Sequence, residues 1–370
     1  MKTKKKIILI SPFGISNAGG VERVMLYVKN ILISQGYEID LLDREFLNTT
    51  KLGRIFNRKL KGSASFFWRS LLLSWYAARR PAQAHTIISN GYAGFCAKAD
   101  IVFCHGSMRG YRFAKAEEEG HSHSWKLWFF SVEELMEYIA AKKAKYIIAV
   151  SPKAAEEWVR YYKVAKAKVH ILPNPVDVNH FTPHEYKEIS RPHKSAQLRI
   201  LFVGRLEWRK GIDRILTLAQ YCELSHIPCS ITLVSPSEKG FEKFVNIKNV
   251  CLHKNIEFAD LPKLYNESDI LYFPSRYEGF EMVTLEALSC GIPVAGTRVG
   301  AIGYLIEKDF PGVYEIFPDK PAQVYDDLTK AAKEWSPLEK KIALHRQVAE
   351  TFGLEQWGAR LLQIMGELDG

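Results

Sequence analysis

Short apolar runs recur along this chain with helix-period stretches between them, and the pattern occurs twice. In the first half Ile7–Ile10, Glu38–Leu42, Thr86–Ser89, Ile101–Cys104 and Tyr146–Val150 read as strands. Between them Val21–Gln35, Phe66–Arg79, Val132–Lys143 and Pro152–Tyr162 carry helical periodicity, the last opened by Ser151 as N-cap. Strands that are apolar throughout have no solvent face, so alternation of this kind implies a parallel sheet covered by helices on both sides. The rhythm breaks over His180–Gln197, which holds Pro183, Pro192, several histidines and few aliphatics, and reads as a linker. It then resumes with strands at Arg199–Val203, Ser230–Val234, Asn249–His253, Ile270–Phe273 and Pro293–Ala295, and helices at Gly211–Tyr221, Ala259–Asn266 and Thr284–Ser289. Two doubly wound α/β domains are expected, over 1–179 and 198–353, on either side of the linker 180–197. The final helix, within 354–370, follows a complete second domain and is expected to pack back on the first. A length of 370 residues suits two such domains.

Several classes of protein fall away. The basic start Lys2, Lys4, Lys5 and Lys6 precedes only four apolar residues, whereas a secretory core needs about 7–15. No apolar run approaches the roughly 18 residues of a membrane span. Among six cysteines no pair has C-x-x-C spacing, and several sit in apolar runs, so buried thiols in a reducing, cytoplasmic setting are expected. Charge is uneven. Residues 1–180 hold 28 Lys and Arg against 15 Asp and Glu, and 181–370 hold 23 against 26. A polyanionic partner for the first half follows, either nucleic acid or an anionic membrane surface.

Two segments carry candidate chemistry. Leu201-Phe202-Val203-Gly204-Arg205-Leu206-Glu207-Trp208-Arg209-Lys210-Gly211 is a strand, a glycine turn, the two cations Arg205 and Lys210, and a helix start. Ligands of open α/β sheets bind beyond the carboxyl ends of strands, where these cations would suit a pyrophosphate, although a solvated basic loop reads equally from the segment alone. It lacks the order of a Walker loop. The second segment, Pro274 to Ala287, places Glu278 in a loop and Glu286 in a helix that begins near Glu281. Backbone N–H groups of Met282 and Val283 at that helix start can receive an anion. A carboxylate can accept both hydroxyl protons of a ribose, and a carboxylate near a helix start is also favoured by the dipole alone. Glu281 is out of place there, since it would repel a phosphate.

Together the two segments resemble the donor half of glycosyltransferase family 4, the retaining sugar-nucleotide transferases of GT-B architecture. The resemblance extends to Gly19-Gly20-Val21-Glu22-Arg23 in a glycine-rich first loop, to Ile101–Gly106 ending in His105-Gly106, to Ile148–Ser151, to Leu172–Asp177 and to Gly291–Val294. It implies two Rossmann-like domains facing a central cleft. It also implies a donor diphosphate on Arg205 and Lys210, and ribose on Glu286. Glu278 would contact the transferred sugar, with Phe280, Glu281, Met282 and Val283 lining the donor. Gly19 and Gly20 would close over the donor, and His105 would sit near the sugar. Cations at the leaving diphosphate and a carboxylate at the sugar match the charges that develop as a glycosyl–phosphate bond breaks. No Asp-x-Asp is present, so neither metal nor cofactor is expected beyond the nucleotide sugar, and family habit makes UDP the expected nucleotide. The chain departs from the family at Glu281, often glycine, at Ala301-Ile302-Gly303-Tyr304, and at Ser235-Pro236-Ser237, usually a glycine-rich turn.

The acceptor is read from the basic half. Residues 46–99 contain no Asp or Glu but hold Lys51, Arg54, Arg58, Lys59 and Lys61 ahead of the aromatic-rich Phe66–Ala78. The aromatic stretch also reads as a core helix. Basic residues beside aromatics suit an anionic membrane, and no nucleic-acid motif accompanies them. A glycolipid, polyprenyl-diphosphate-linked or glycan acceptor on the inner membrane face is expected, in the synthesis of lipopolysaccharide or another cell-surface polysaccharide and with partner glycosyltransferases. The rival readings are a sugar-nucleotide epimerase of the same architecture, or a non-catalytic subunit that docks a partner enzyme to the membrane.

Overall fold

The computed structural model describes residues 6–59, 62–80, 85–121, 129–183 and 197–367; the side chains of 56–65 and of His85 are also outside the description. The chain divides into two compact units, 1–174 with 357–370, and 175–356.

The first unit is built on β1 (Lys6–Ser11), α1 (Gly20–Ser34), β2 (Glu38–Asp43), α2 (Arg44–Thr49), α3 (Lys51–Lys59), α4 (Gly62–Ala78), β3 (His85–Asn90), β4 (Ile101–Cys104), α5 (Met108–Glu118), α6 (Val132–Lys143), β5 (Tyr146–Ala149), α7 (Pro152–Tyr162) and β6 (Val169–Ile171). Its six strands pair in parallel in the order β2-β1-β3-β4-β5-β6. Ile7 to Ile10 are wholly buried, as a strand covered on both faces requires. α1 turns Val24, Met25, Val28 and Leu32 inward, the spacing of one helical face. After β4 comes α5, which Ser107 caps by accepting from the Gly110 N–H. The Ser131–Glu134 capping box starts α6. The Ser107 cap turns the chain into α5 directly after β4 ends.

The second unit has β7 (Leu198–Val203), α8 (Ile212–Leu224), β8 (Cys229–Ser235), β9 (Val250–Lys254), α9 (Leu261–Asn266), β10 (Ile270–Phe273), α10 (Met282–Ser289), β11 (Val294–Gly296), α11 (Gly300–Glu307), β12 (Val313–Glu315), α12 (Pro321–Glu334) and α13 (Leu338–Phe352). Its strand order is β12-β11-β10-β7-β8-β9, again all parallel. The chain runs outward from β7 through β8 and β9, then returns to the other side of β7 as β10. The connections therefore reverse between β7 and β10, which is where an open sheet of this kind leaves a crevice at the carboxyl ends of its strands.

The last helix, α14 (Leu354–Gly366), begins in the second unit and joins the first, where Gly358 lies against Ile31 of α1. Residues 184–196, most of the stretch read as a linker, lie outside the described residues. Phe181 at its start is fully buried, and its carbonyl accepts from the Ser289 hydroxyl at 2.6 Å. It belongs to the core of the second unit.

Candidate functional site

In the second unit the loops after β7 and β10 meet at the reversal point. Gly211 makes the approach possible. Its φ is +74°, and a Cβ there would lie 2.1 Å from the Pro274 carbonyl oxygen. Around it the loops are stitched together. The Arg276 N–H donates to the Arg209 carbonyl at 2.8 Å, and Arg214 donates to the Pro274 carbonyl at 3.1 Å. Arg276 also grips Asp213 through two bonds of 2.7 Å and donates to the Trp208 carbonyl at 2.9 Å.

This stitching brings Lys210 and Glu278 together. The Lys210 Nζ lies 2.7 Å from Glu278 Oε1 and 4.6 Å from the Phe273 ring centroid. Arg209 donates to Glu278 Oε2 at 3.0 Å, and the Ser275 hydroxyl donates to Oε1 at 3.0 Å. Burial works to raise the Glu278 carboxyl, but Lys210 and Arg209 more than reverse it and hold it below the usual carboxylate range. Conversely, Glu278 and Glu207 outweigh burial at Arg209 and hold its guanidinium above its ordinary value. The result is an ionised carboxylate, only 7% exposed, between two cations.

Arg205 differs from both. It is 61% exposed, with its guanidinium 3.4 Å from Glu207. Of the two cations expected at a pyrophosphate, one therefore stands open and the other is engaged by the carboxylate expected at the sugar. Arg209 is not singled out by the sequence. A signal is present, as a third cation in the same segment, but nothing in the spacing says which cation faces Glu278.

Glu281 has a different partner from the one its position suggests. Its carboxylate accepts from the Ala301 N–H at 2.9 Å and the Ile302 N–H at 3.2 Å, at the start of α11, and from the Thr284 hydroxyl at 2.8 Å. It thus fills a helix N-terminus with its own carboxyl oxygens. Burial, with the Glu278 carboxylate beside it, pushes the Glu281 carboxyl up to about 7. The departures at Glu281 and at Ala301-Ile302 are one structural feature, since each supplies the other's hydrogen bonds.

Phe280 is buried, with ring centroids 5.8 Å from Tyr304 and 6.3 Å from Phe352. Buried Met282 and half-buried Val283 open α10. One turn further, the buried Glu286 accepts from the Tyr265 hydroxyl at 2.8 Å, which fixes the orientation of its carboxylate.

The other expected residues lie in the first unit. Its connections reverse between β1 and β3. The loop after β1 ends at Gly19, the N-cap of α1, and Gly20 is the first residue of that helix. His105 follows β4, with its ring stacked on Phe103 at 6.2 Å. Its Nε2 is buried without a hydrogen-bond partner among the described residues. Burial holds its pKa down to about 4, so the ring is neutral near pH 7. In α3, Lys51 and Arg54 are exposed beside Leu52 and Ile55, themselves 44% and 51% exposed. The side chains of Arg58 and Lys59 and the whole of Lys61 lie outside the described residues. Among the described residues no group of three His, Cys, Asp or Glu side chains could hold a metal ion, and no helix is long and apolar enough to cross a membrane.

The family model described as glycosyltransferase family 4 matches residues 18–180, and that described as glycosyl transferases group 1 matches residues 185–345. One subunit of human phosphatidylinositol N-acetylglucosaminyltransferase is 26% identical over 82% of this chain and 64% of its own length. Across the first three curated relatives the matched stretch spans 54% to 68% of their own lengths. Among solved structures, sucrose-phosphate synthase from Thermosynechococcus elongatus is similar with a TM-score of 0.75 at 17% identity, covering 99% of each chain. Anabaena Alr3699/HepE, solved in complex with UDP-glucose, has a TM-score of 0.68 at 14% identity, covering 98% of this chain and 99% of its own. The fold shared with these structures is the GT-B architecture.

Proposed function

Because this chain belongs to the glycosyltransferases, matching family 4 through its first half and group 1 through its second, we propose that it moves a sugar from a UDP-sugar to a membrane-associated lipid-linked or glycan acceptor, with retention of anomeric configuration. The observation that carries the reading is the cluster at the β7–β10 reversal, with Arg205 open to solvent and Glu278 ionised between Lys210 and Arg209.

A diphosphate entering this crevice meets Arg205 first and then competes with Glu278 for Lys210. As the glycosyl–phosphate bond breaks, negative charge grows on the diphosphate and is met by Arg205 and Lys210. Positive charge grows on the sugar and is met by Glu278, which remains an anion because Arg209 still holds it. Glu286, oriented by Tyr265, accepts hydrogen bonds from the ribose hydroxyls. Glu281 contributes through α11: by holding the Ala301 and Ile302 N–H groups it fixes the loop that borders Glu278. No side chain is assigned as general base, and the leaving phosphate oxygen takes the acceptor proton.

The UDP preference draws support from the Anabaena protein solved with UDP-glucose, and the lipid acceptor from the phosphatidylinositol enzyme among the relatives. The exposed pairing of Lys51 and Arg54 with Leu52 and Ile55 on α3 supports peripheral attachment to an anionic membrane, on its cytoplasmic face, in the synthesis of a cell-surface glycan. Titration calorimetry with UDP, GDP and ADP tests the donor site. Saturable binding that falls at least roughly tenfold in Arg205→Gln is expected, and transfer of labelled sugar to a lipid extract tests the acceptor. A chain that binds none of the three nucleotides would be no sugar-nucleotide transferase.

A further inference from the structure

The basic excess of the first unit has a second focus, away from α3. Residues 142–168 hold eight Lys and Arg against two Glu. Five lysines, Lys98, Lys142, Lys143, Lys145 and Lys168, line one hollow of about 690 Å³, together with Cys96, Ala144 and Tyr146 and, among the described residues, with no carboxylate in the lining.

Topology explains the convergence. Lys98 lies just ahead of β4, Lys145 immediately before β5, and Lys168 immediately before β6. These three strands are neighbours in a parallel sheet, so their starts share one edge. Lys142 and Lys143 reach the same edge from the end of α6. His105 and Gly19 follow the opposite ends of their strands, so the hollow is separate from the residues assigned to the reaction.

Three of the lysines are held in place by backbone carbonyls. Lys142 donates to the Lys163 carbonyl at 3.0 Å, Lys143 to the Phe95 carbonyl at 3.1 Å, and Lys168 to the Ala144 carbonyl at 3.2 Å. An ammonium has three N–H donors, so each of these bonds sets a direction and leaves donors for a ligand. Lys168 in this way caps the carbonyl end of α6, whose last turn also carries Lys142 and Lys143, and these charges offset a helix end that would otherwise repel an anion. At the rim Asp100 pairs with Lys145 at 3.0 Å and accepts from the Ile87 N–H at 2.9 Å, and the exposed Glu367 carboxylate lies 3.7 Å from His170. Helix capping explains Lys168 but not five lysines around a cavity of ligand size.

We propose that this lysine-lined hollow at the starting edge of β4, β5 and β6 is a second binding site, which takes an anion carrying two or more phosphoryl groups. Lysine binds phosphate as a point charge, and with Lys145 already paired to Asp100 the other four ammonium groups still exceed what one phosphate neutralises. The anion is a free oligophosphate or a cluster of phospholipid headgroups, which present the same chemistry.

Inorganic tripolyphosphate is titrated calorimetrically into the full chain, and phosphatidylglycerol vesicles are assayed by flotation. The variants are Lys98→Gln/Lys142→Gln/Lys145→Gln, the same triple change to Arg, and Arg205→Gln. Saturable tripolyphosphate binding is expected, weakened at least about tenfold by the Gln triple and retained by the Arg triple and by Arg205→Gln. Vesicle binding with that lysine dependence, without tripolyphosphate binding, supports the site with a headgroup source. Tripolyphosphate binding that ignores the lysines, or that is lost in Arg205→Gln, overturns it, as does binding of neither probe. Vesicle binding that ignores the lysines belongs to α3, and overturns the proposal when tripolyphosphate does not bind. Should the Gln triple misfold, amine acetylation of the unaltered chain decides. Protection of Lys98, Lys142 and Lys145 by whichever probe binds supports the site, and equal labelling with and without it overturns the proposal.

Discussion

Replacing Lys210 by methionine strains the candidate site at its tightest contact, keeping the length of the side chain while removing its charge. In the native chain Glu278 is buried and faces Lys210 at 2.7 Å and Arg209 at 3.0 Å, with the Ser275 hydroxyl at 3.0 Å. Near 3 Å and at an effective dielectric of about 20, each cation attracts the carboxylate by roughly 5 kcal/mol before desolvation is counted. Removing one partner of a buried pair costs about 3–5 kcal/mol when the other is left uncompensated. Arg209 and Ser275 remain here, so the expected loss is about 2 kcal/mol. Urea unfolding of the native chain, Lys210→Met, Glu278→Gln and the double variant isolates the pairwise part, expected at about 1–2 kcal/mol. The pH dependence gives an independent reading. The folded-state carboxyl of Glu278 is depressed, so its contribution is present above the ordinary carboxylate range and is lost as pH falls through the folded value. Lys210→Met raises that value, so its deficit should be full near pH 7 and shrink as both chains are acidified to about pH 3. A coupling below about 0.5 kcal/mol, or an equal deficit at both pH values, would refute the reasoning.

Three further outcomes follow from other residues. Burial pushes the Glu137 carboxyl up to about 8, so stability should fall between about pH 4.5 and 8 as only the unfolded chain ionises. Glu137→Gln should flatten that decline, gaining up to about 4 kcal/mol at pH 9 relative to pH 5, and an unchanged slope in urea unfolding would count against the assignment. Gly211→Ala forces a Cβ to within 2.1 Å of the Pro274 carbonyl at positive φ, and should cost about 2–4 kcal/mol with loss of nucleotide binding, read by thermal shift with UDP. His105 is held neutral by a pKa near 4, so His105→Gln should lower kcat by about 10²-fold without moving any limb of the pH–rate profile between pH 5 and 8. A limb that vanishes in the variant would show that the histidine titrates during turnover.

Parts of the site are legible in the sequence because they depend on neighbours along the chain. Ile270–Phe273 is wholly apolar and the turn residues follow at once, so the loop carrying Glu278 has to leave the sheet where it does. Arg205 and Lys210 stand out by the same logic after β7. Glu281 reads as a misplaced group beside phosphate, because its partners, the Ala301 and Ile302 N–H groups, come from a helix about twenty residues away. Phe181 reads with the linker because its flanks are polar. Its bond from Ser289 and its edge contact with Phe258 are long-range, and no local pattern shows them.

Local chemistry is enough to specify the two parallel sheets, because strands apolar on both faces admit no other covering, and to specify the residue types at the ends of β7 and β10. Which of those residues meet was left to folding. Strand order placed β7 beside β10, and a close approach at Gly211 then let Arg209 as well as Lys210 reach Glu278. The same cause gathers Lys98, Lys145 and Lys168 at one edge, although 70 residues of chain separate the first from the last. Charge composition is a property of the chain, but the distance between charges, on which electrostatic energy depends, is set only when the sheet is assembled.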